Sequence, residues 1–521
     1  MKIGLLCVLF SFVSLSVGSA LSESLTYDEV FYLEEGRGIL SGEVMRDPYN
    51  PPLMPILTGI PMVLGLNTFI RSPLPMHTAL PARMVTVGFG VLLIMAMYVV
   101  ATRFFGSTVG LVASFLLAFD PNILANSHYV TSDIAVTFFF FLAVDLWVRF
   151  LRKPSRTRVV LFGLAAGYAI GAKITSLVYL TALSIVLLWQ TKGIWSWRWI
   201  AERKHLVLIS IATCLLFLWA VYFFRMDVII APRSDENRLS SRLLRFEIPM
   251  ITASINMLRT RPVPLGGFIA MLKNNALRSM SQGDSRPPWY RILVTTLTKT
   301  PLPLLVLFII GLFSSRARTG IQRKRIYMFA TTPIVVLGVM MIFGIHPMVR
   351  YVLPMYPFLA IVAATSISLA RTLRSRVFLV ILLVWYAGGS VWQFPHFISY
   401  ANELAGPRAR RFESLSDSNL DWGQALPDVA RYIRNNNIGK LQFSYFGRDD
   451  GAHYGLSSPL PYGSWKFDEI CAFHVVNTNE RSKQERTIIS VTNWYSCGYN
   501  KQRDYQKEKI REIVADVFLV F

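Results

Sequence analysis

The sequence predicts an all-α polytopic membrane protein that carries a small α/β domain outside the membrane at its carboxyl end. Three observations predict this. Hydrophobic residues make up 53% of the 521 positions and charged residues only 16%, with a mean hydropathy of +0.43. Apolar runs of about 17–25 residues, the length that crosses a bilayer core, recur through the first 394 positions. From Pro395 the character changes: charge becomes nearly balanced and the apolar runs shorten.

The runs lie near Ile3–Leu21, Met84–Thr102, Ser107–Leu124, Asp133–Leu151, Val159–Gly171, Ile174–Trp189, Leu206–Phe224, Leu302–Phe313, Ile326–Phe343, Val352–Ala370 and Val377–Phe394, which makes about eleven spans. Two long segments interrupt them, 22–83 and 225–300, and both read as outer loops. The first is amphipathic and rich in proline, as suits a stretch lying on a membrane surface. Beyond Pro395, Asp428–Asn435 reads as a helix, and Leu441–Phe446 and Thr487–Thr492 as strands, being short, β-rich and bounded by turn residues. The expected organisation is a transmembrane domain over 1–394 and an extracytoplasmic domain over 395–521.

Charge supplies the orientation. Arg103, Arg152, Lys153, Arg156, Arg158, Lys192, Arg198, Arg203, Lys204, Arg316, Arg318, Arg323, Lys324, Arg325, Arg371, Arg374 and Arg376 fall in alternate loops, and Glu202 is the only acid among them. The opposite loops near Asn126–Ser132 and Ile345–Pro347 carry no Lys or Arg. By the positive-inside rule the amino terminus is cytoplasmic and the carboxyl terminus periplasmic or extracellular, in a cell membrane. The formal net charge of +22 follows largely from this asymmetry, so no nucleic-acid partner is expected. The 225–300 loop is basic, with twelve Lys or Arg against five acids, which suits anionic lipid headgroups; a solvated loop without a specific role fits equally.

Lys2, a short apolar run and Gly18-Ser19-Ala20 also fit a cleavable signal peptide; a retained helix is the favoured reading. Cys7 and Cys214 fall within spans, whereas Cys471 and Cys497 lie in the tail, where a disulfide and two free thiols are both open.

Several ionisable residues stand at the outer edges of spans. Asp28 and Glu29 follow the first run directly, ahead of Tyr32, Gly36, Gly38 and the turn Asn50-Pro51-Pro52-Leu53. A carboxylate held there by proline turns can take the proton of an incoming hydroxyl or amine; an ordinary interfacial acid is the plain alternative. Lys173 interrupts an apolar stretch, and Arg350 opens Arg350-Tyr351-Val352-Leu353-Pro354 after His346-Pro347-Met348. Either cation can face a phosphate or snorkel to headgroups. Asp133, ending His128-Tyr129-Val130-Thr131-Ser132-Asp133, reads as helix cap or catalytic assistant.

This set resembles the membrane glycosyltransferases of the C-type fold. An acidic pair after the first span, a Pro-Pro-Leu in the first outer loop, a Thr-x-Asp opening a later span, a Gly-rich span ending in Lys and an Arg-Tyr-x-Leu-Pro occur here in that order. The group most similar is glycosyltransferase family 39, with the protein O-mannosyltransferases, and the related aminoarabinose transferases of lipid A. The tail segments Ser399–Gly406, Asp417–Gln424 and Ser444–Gly447 are similar to those of bacterial members.

The resemblance implies inverting transfer from a polyprenyl-phosphate sugar to a glycan, lipid or protein acceptor at the outer face. Asp28 would be the base, Glu29 its neighbour and Asp133 an assistant. Lys173, Arg350, Tyr351, His128 and Asn50 would face the substrate, although relatives often have His or Lys where Asn50 stands. Some relatives bind a divalent metal; His128, His346 and His396 alone at outer edges do not predict one, and the cofactor is left open. Asp417–Asp421 with Asp428 has the spacing of a calcium loop, but Trp422 occupies the position that needs glycine. A transporter or a non-catalytic scaffold is the alternative class. Asp145 is the main acid within a span, and no repeated halves, the mark of many transporters, are visible.

Overall fold

A computed structural model describes residues 2–43, 45–69, 72, 74–229, 257–281, 287–317, 319–344, 346–456, 470–477, 484–502 and 509–521. Residues 230–256 and 282–286 of the expected second outer loop, together with Arg318 and Ile345, lie outside them.

Each of the eleven apolar runs falls on helix. Among the described residues seven helices are long and apolar enough to cross a membrane: Lys2–Ala20, Leu80–Phe105, Asp133–Arg152, Lys204–Val221, Gly320–Phe343, Val349–Leu369 and Leu373–Gln393. Three further runs are broken pairs, Ser107–Ala118 with Pro121–His128, Thr175–Lys192 with Ser196–Glu202, and Arg291–Lys299 with Leu302–Ser314. The eleventh is the 17-residue helix Arg156–Ala172. Proline explains two of the breaks. Asp120 and Thr300 each precede a proline and take extended backbone, as the ring of the following residue demands. Asp120 then caps the next helix by accepting from the amides of Asn122 and Ile123.

The chain divides into two compact units, one of residues 1–41, 55–138 and 288–521, the other of 42–54 and 139–287. In the first, the Lys2–Ala20 helix packs on Leu80–Phe105 and on the following broken pair. Gly36 and Gly59 let the Tyr27–Leu40 helix lie backbone to backbone on the helix Leu53–Val63, since a Cβ on Gly36 would strike the Pro55 carbonyl. In the second unit, Arg156–Ala172 lies against Lys204–Val221. Gly163 faces the Ser210 carbonyl and Gly167 faces Phe217, the small-residue contact common between membrane helices. This unit also holds a two-stranded ribbon, β1 (Met226–Asp227) with β2 (Val263–Pro264).

The tail carries the expected α/β elements with shifted ends. The helix runs Leu426–Asn435. The two expected strands are β3 (Lys440–Ser444) and β5 (Glu485–Ser490), which pair in parallel. With β4 (His474–Asn477), β6 (Glu512–Val514) and β7 (Phe518–Val520) they form a five-stranded sheet of order β4-β3-β5-β7-β6. One face of it, with Phe443, Ile488 and Phe518, packs into a core with Val429 and Ile433 of the helix. Cys471 and Cys497 form a disulfide. The sheet and its helix belong to the first compact unit rather than to a unit beginning at Pro395.

Candidate active site

The Tyr27–Leu40 helix is opened by Thr26 and Glu29 in a reciprocal capping box, whose Thr-x-x-Glu spacing is visible in the sequence. This places Asp28 in the first helical turn, where the partial positive charge of the helix end favours a carboxylate. Asp28 Oδ2 accepts a hydrogen bond from Arg350 Nη1 at 2.7 Å. The pair is only partly covered, with side chains 29% and 14% exposed.

Arg350 is held from several sides. Its guanidinium lies 4.5 Å from the ring centre of Trp422 and 5.4 Å from that of Tyr351, the geometry of cation–π contacts. Asp133 and Asp417 add two more carboxylates within electrostatic reach of it. Asp133 is the first residue of its helix, so the cap position belongs to Ser132. Three of the residues picked from the sequence, Asp28, Asp133 and Arg350, thus converge, with Tyr351 beside them.

Beneath this pair lies a buried scaffold. Glu29 is fully buried and accepts Arg83 Nε at 2.9 Å and Nη2 at 2.8 Å, the Thr26 amide at 2.8 Å and hydroxyl at 3.1 Å, and the Val130 amide at 2.9 Å. With five donors on two oxygens it has no lone pair left for a substrate, so its place is structural and not beside Asp28's chemistry. Arg83 also donates to the carbonyls of Ala20, Glu23 and Ser24. His128, expected at the substrate, is fully buried as well: Nδ1 meets the Leu124 carbonyl and Nε2 meets Glu23 at 2.8 Å.

Glu23 also binds Tyr129 OH at 2.6 Å and His396 Nδ1 at 2.8 Å, and His396 Nε2 lies 3.2 Å from Asp428. Burial opposes ionisation of Glu23, yet hydrogen bonds and charge from His128 and His396 outweigh it and take its pKa from 4.5 to about 2. Burial likewise opposes the His396 cation, but Asp428 and Glu23 raise its pKa from 6.5 to about 10. The clamp therefore stabilises fully between those ordinary values. Its Glu23 share is present above pH 4.5 and is lost as pH falls towards 2. Its His396 share is present below pH 6.5 and is lost as pH rises towards 10. Thermal unfolding in detergent across pH is expected to show a plateau between these limits, and His396→Asn is expected to flatten the alkaline limb.

Lys173 and Asn50 belong to the second unit. Lys173 caps the Arg156–Ala172 helix and is buried. Asn50 closes a turn with Asp47, whose carboxylate accepts from both its amide and its side chain. Among the described residues no group of three or more His, Cys, Asp or Glu side chains is arranged to hold a metal ion.

Sequence reasoning missed the tail's share in the site. Asn419 Oδ1 accepts from the Val349 amide at 2.9 Å and its Nδ2 donates to the Pro347 carbonyl at 3.1 Å. The Trp422 and Gln424 carbonyls accept from the amides of Tyr27 and Ser24. Asp449 accepts from the Leu25 amide, and Tyr27 stacks on Phe446 with Arg448 at its hydroxyl. Asp421 spends its carboxylate on the Thr492 and Gly423 amides; burial raises its pKa to about 7, which suits a turn better than a calcium ligand. The visible signal was the polar run Asp417–Gln424 itself.

Lys299 is a second missed anchor. Fully buried, it donates to the carbonyls of Ile398 at 2.7 Å, Tyr400 at 2.5 Å and Asn419 at 2.8 Å, while Asn402 binds the carbonyls of Leu297 and Thr300. Lys299→Met strands three buried acceptors, each worth about 1–3 kcal/mol. The expected result is a marked fall in melting temperature and early proteolysis of the tail.

The whole chain superimposes on a crystal structure of ArnT from Cupriavidus metallidurans bound to undecaprenyl phosphate. The TM-score is 0.53 at 14% identity, covering 100% of this chain and 97% of that one. The apo state of the same protein gives 0.53 at 15%, covering 100% and 98%. The fold is that of ArnT. Residues 61–222 match the family described as dolichyl-phosphate-mannose-protein mannosyltransferase. Comparison with curated proteins finds no match.

Proposed function

We propose that this protein transfers a sugar from a polyprenyl-phosphate donor to an acceptor at the outer face of the membrane, with Asp28 as general base. The observation that carries this reading is the part-exposed Asp28–Arg350 pair at the start of the Tyr27–Leu40 helix, directly after the first span. The family match over 61–222 and the shared fold support it.

The chemistry balances as follows. The acceptor oxygen or nitrogen attacks the anomeric carbon while the bond from that carbon to the phosphate oxygen breaks. The bonding electrons leave with the lipid phosphate, and the acceptor proton goes to Asp28. Arg350 meets the charge growing on the phosphate, the kind of fixed cation that stabilises such a leaving group. A phosphate entering beside Arg350 competes with Asp28 for the guanidinium, which frees a carboxylate lone pair for the acceptor as the donor arrives. Asp133 and Asp417 keep Arg350 compensated through that exchange. Tyr351 is proposed as a wall beside Arg350. Glu29 and His128 act only by positioning. The sugar and the acceptor are for experiment to name.

The test is to incubate the purified full chain in lipid nanodiscs with a panel of polyprenyl-phosphate sugars and candidate acceptors, and to measure release of lipid phosphate. Turnover with at least one donor is expected; none across the panel would sink the reading.

A further inference from the structure

The tail segment Asp417–Gln424 touches Arg350 and Tyr27, the residue before Asp28, though it lies more than 60 residues from either in sequence. Asn419 grips the chain on both sides of Met348, at the Pro347 carbonyl and the Val349 amide. These are the last residues before Arg350, and two hydrogen bonds across three positions fix the path of the backbone that presents it. Ser418 Oγ meets Met348 Sδ between them. Trp422 makes two contacts of different kinds. Its buried indole lies under the guanidinium of Arg350, and its backbone carbonyl accepts from the Tyr27 amide at 2.8 Å. Tyr27 opens the helix that carries Asp28.

We infer that Asn419 and Trp422 are positioning residues of the active site: Asn419 sets the backbone before Arg350, and Trp422 registers Arg350 against the first turn of the Asp28 helix. This rests on the function proposed above. It makes the tail part of the catalytic apparatus rather than an appended module.

The segment is itself braced from the sheet side. Thr492, just past β5, donates its amide to Asp421 and accepts from the Asp417 amide through its hydroxyl. Asp417 takes a left-handed backbone, φ 53°, which a short polar side chain tolerates better than most. The turn therefore has a defined shape before any substrate arrives. That is the condition under which a supporting residue improves a reaction: it removes the cost of orienting groups at the moment of bond making.

The test uses the full chain in nanodiscs and two readouts. In the first, hydrogen–deuterium exchange is compared for wild type, Asn419→Ala, Trp422→Leu and Trp422→Phe. Asn419→Ala should speed exchange in peptides covering 347–352, with β3 and β5 unchanged. Trp422→Leu should speed it in those peptides, whereas Trp422→Phe, which keeps an aromatic face under Arg350, should stay near wild type. The second readout is turnover with the active donor. Asn419→Ala and Trp422→Leu are expected to lose about 30-fold or more in kcat with a smaller change in KM, and Trp422→Phe to recover most of it. Unchanged exchange at 347–352 in both Asn419→Ala and Trp422→Leu would overturn the inference whatever the activity. So would Trp422→Phe behaving like Trp422→Leu. If the wild type turns over no donor, the functional reading fails, and the exchange results alone decide whether these residues set the geometry of the pair.

Discussion

Asp28→Asn leaves the protein folded and inserted and lowers sugar transfer by at least about 10³-fold, within the range that a positioned base contributes. The replacement keeps size and one hydrogen-bonding oxygen, so the contact with Arg350 survives in weakened form while the proposed proton acceptor is gone. Asp28 is 29% exposed and the amide keeps a hydrogen bond to Arg350, so the change is expected to be gentle for the fold. The measurement is the initial rate of lipid-phosphate release at saturating donor, beside the melting temperature of the same sample. A variant that keeps more than a tenth of the wild-type rate, at an unchanged melting temperature, would remove Asp28 from the chemistry. Arg350→Lys, tested in parallel, keeps the charge but loses the planar face that lies against Trp422, and is expected to fall mainly in donor binding.

The second large effect is on folding. Arg83 is fully buried, and it divides its hydrogen bonds between the Glu29 carboxylate and three backbone carbonyls. Removing one member of a buried ion pair costs about 3–5 kcal/mol, because the other charge is left without water or partner. Arg83→Met is therefore expected to lower the yield of monodisperse protein severely and to bring its melting temperature down by many degrees. Glu29→Gln should be milder. The amide oxygen can still accept on one side, whereas the amide nitrogen turns a donor towards donors on the other. The charge opposite Arg83 is lost, so the size of the side chain and one set of hydrogen bonds are what it keeps. If Arg83→Met melts as the wild type does, the scaffold below Asp28 is not what holds it.

Read from the sequence, the membrane architecture was legible because span length and loop charge are local properties. A helix that must cross hydrocarbon announces itself within twenty residues. Asp28 and Arg350 could be picked out for a related reason: a charge at the edge of an apolar run stands out against its neighbours. The residues whose roles differ from expectation are those whose partners are distant. Glu29 looks like a twin of Asp28 until Arg83, 54 residues on, is seen to occupy it. His128 looks available until Glu23 closes over it. Arg83 itself sits one residue before the expected start of its span and passed as a loop charge. What no local rule could show in the tail's polar run is that the Asn419 amide and Trp422 indole are spent on residues 347–350 and the Trp422 carbonyl on Tyr27. The broken spans were hidden for a simpler reason. A proline at a helix start and a proline within a span look alike in a hydropathy profile, and the backbone before each had to be seen.

The way Lys299 holds the tail has a consequence for how such a protein can diversify. Its three acceptors are main-chain oxygens, which every residue type supplies. Exchanging the side chains at 398, 400 or 419 leaves that attachment standing, whereas exchanging the lysine does not. The exposed surface of the tail is thus at liberty to change its side chains while Lys299, beside the contacts of Asn402 and Asn419, keeps it attached.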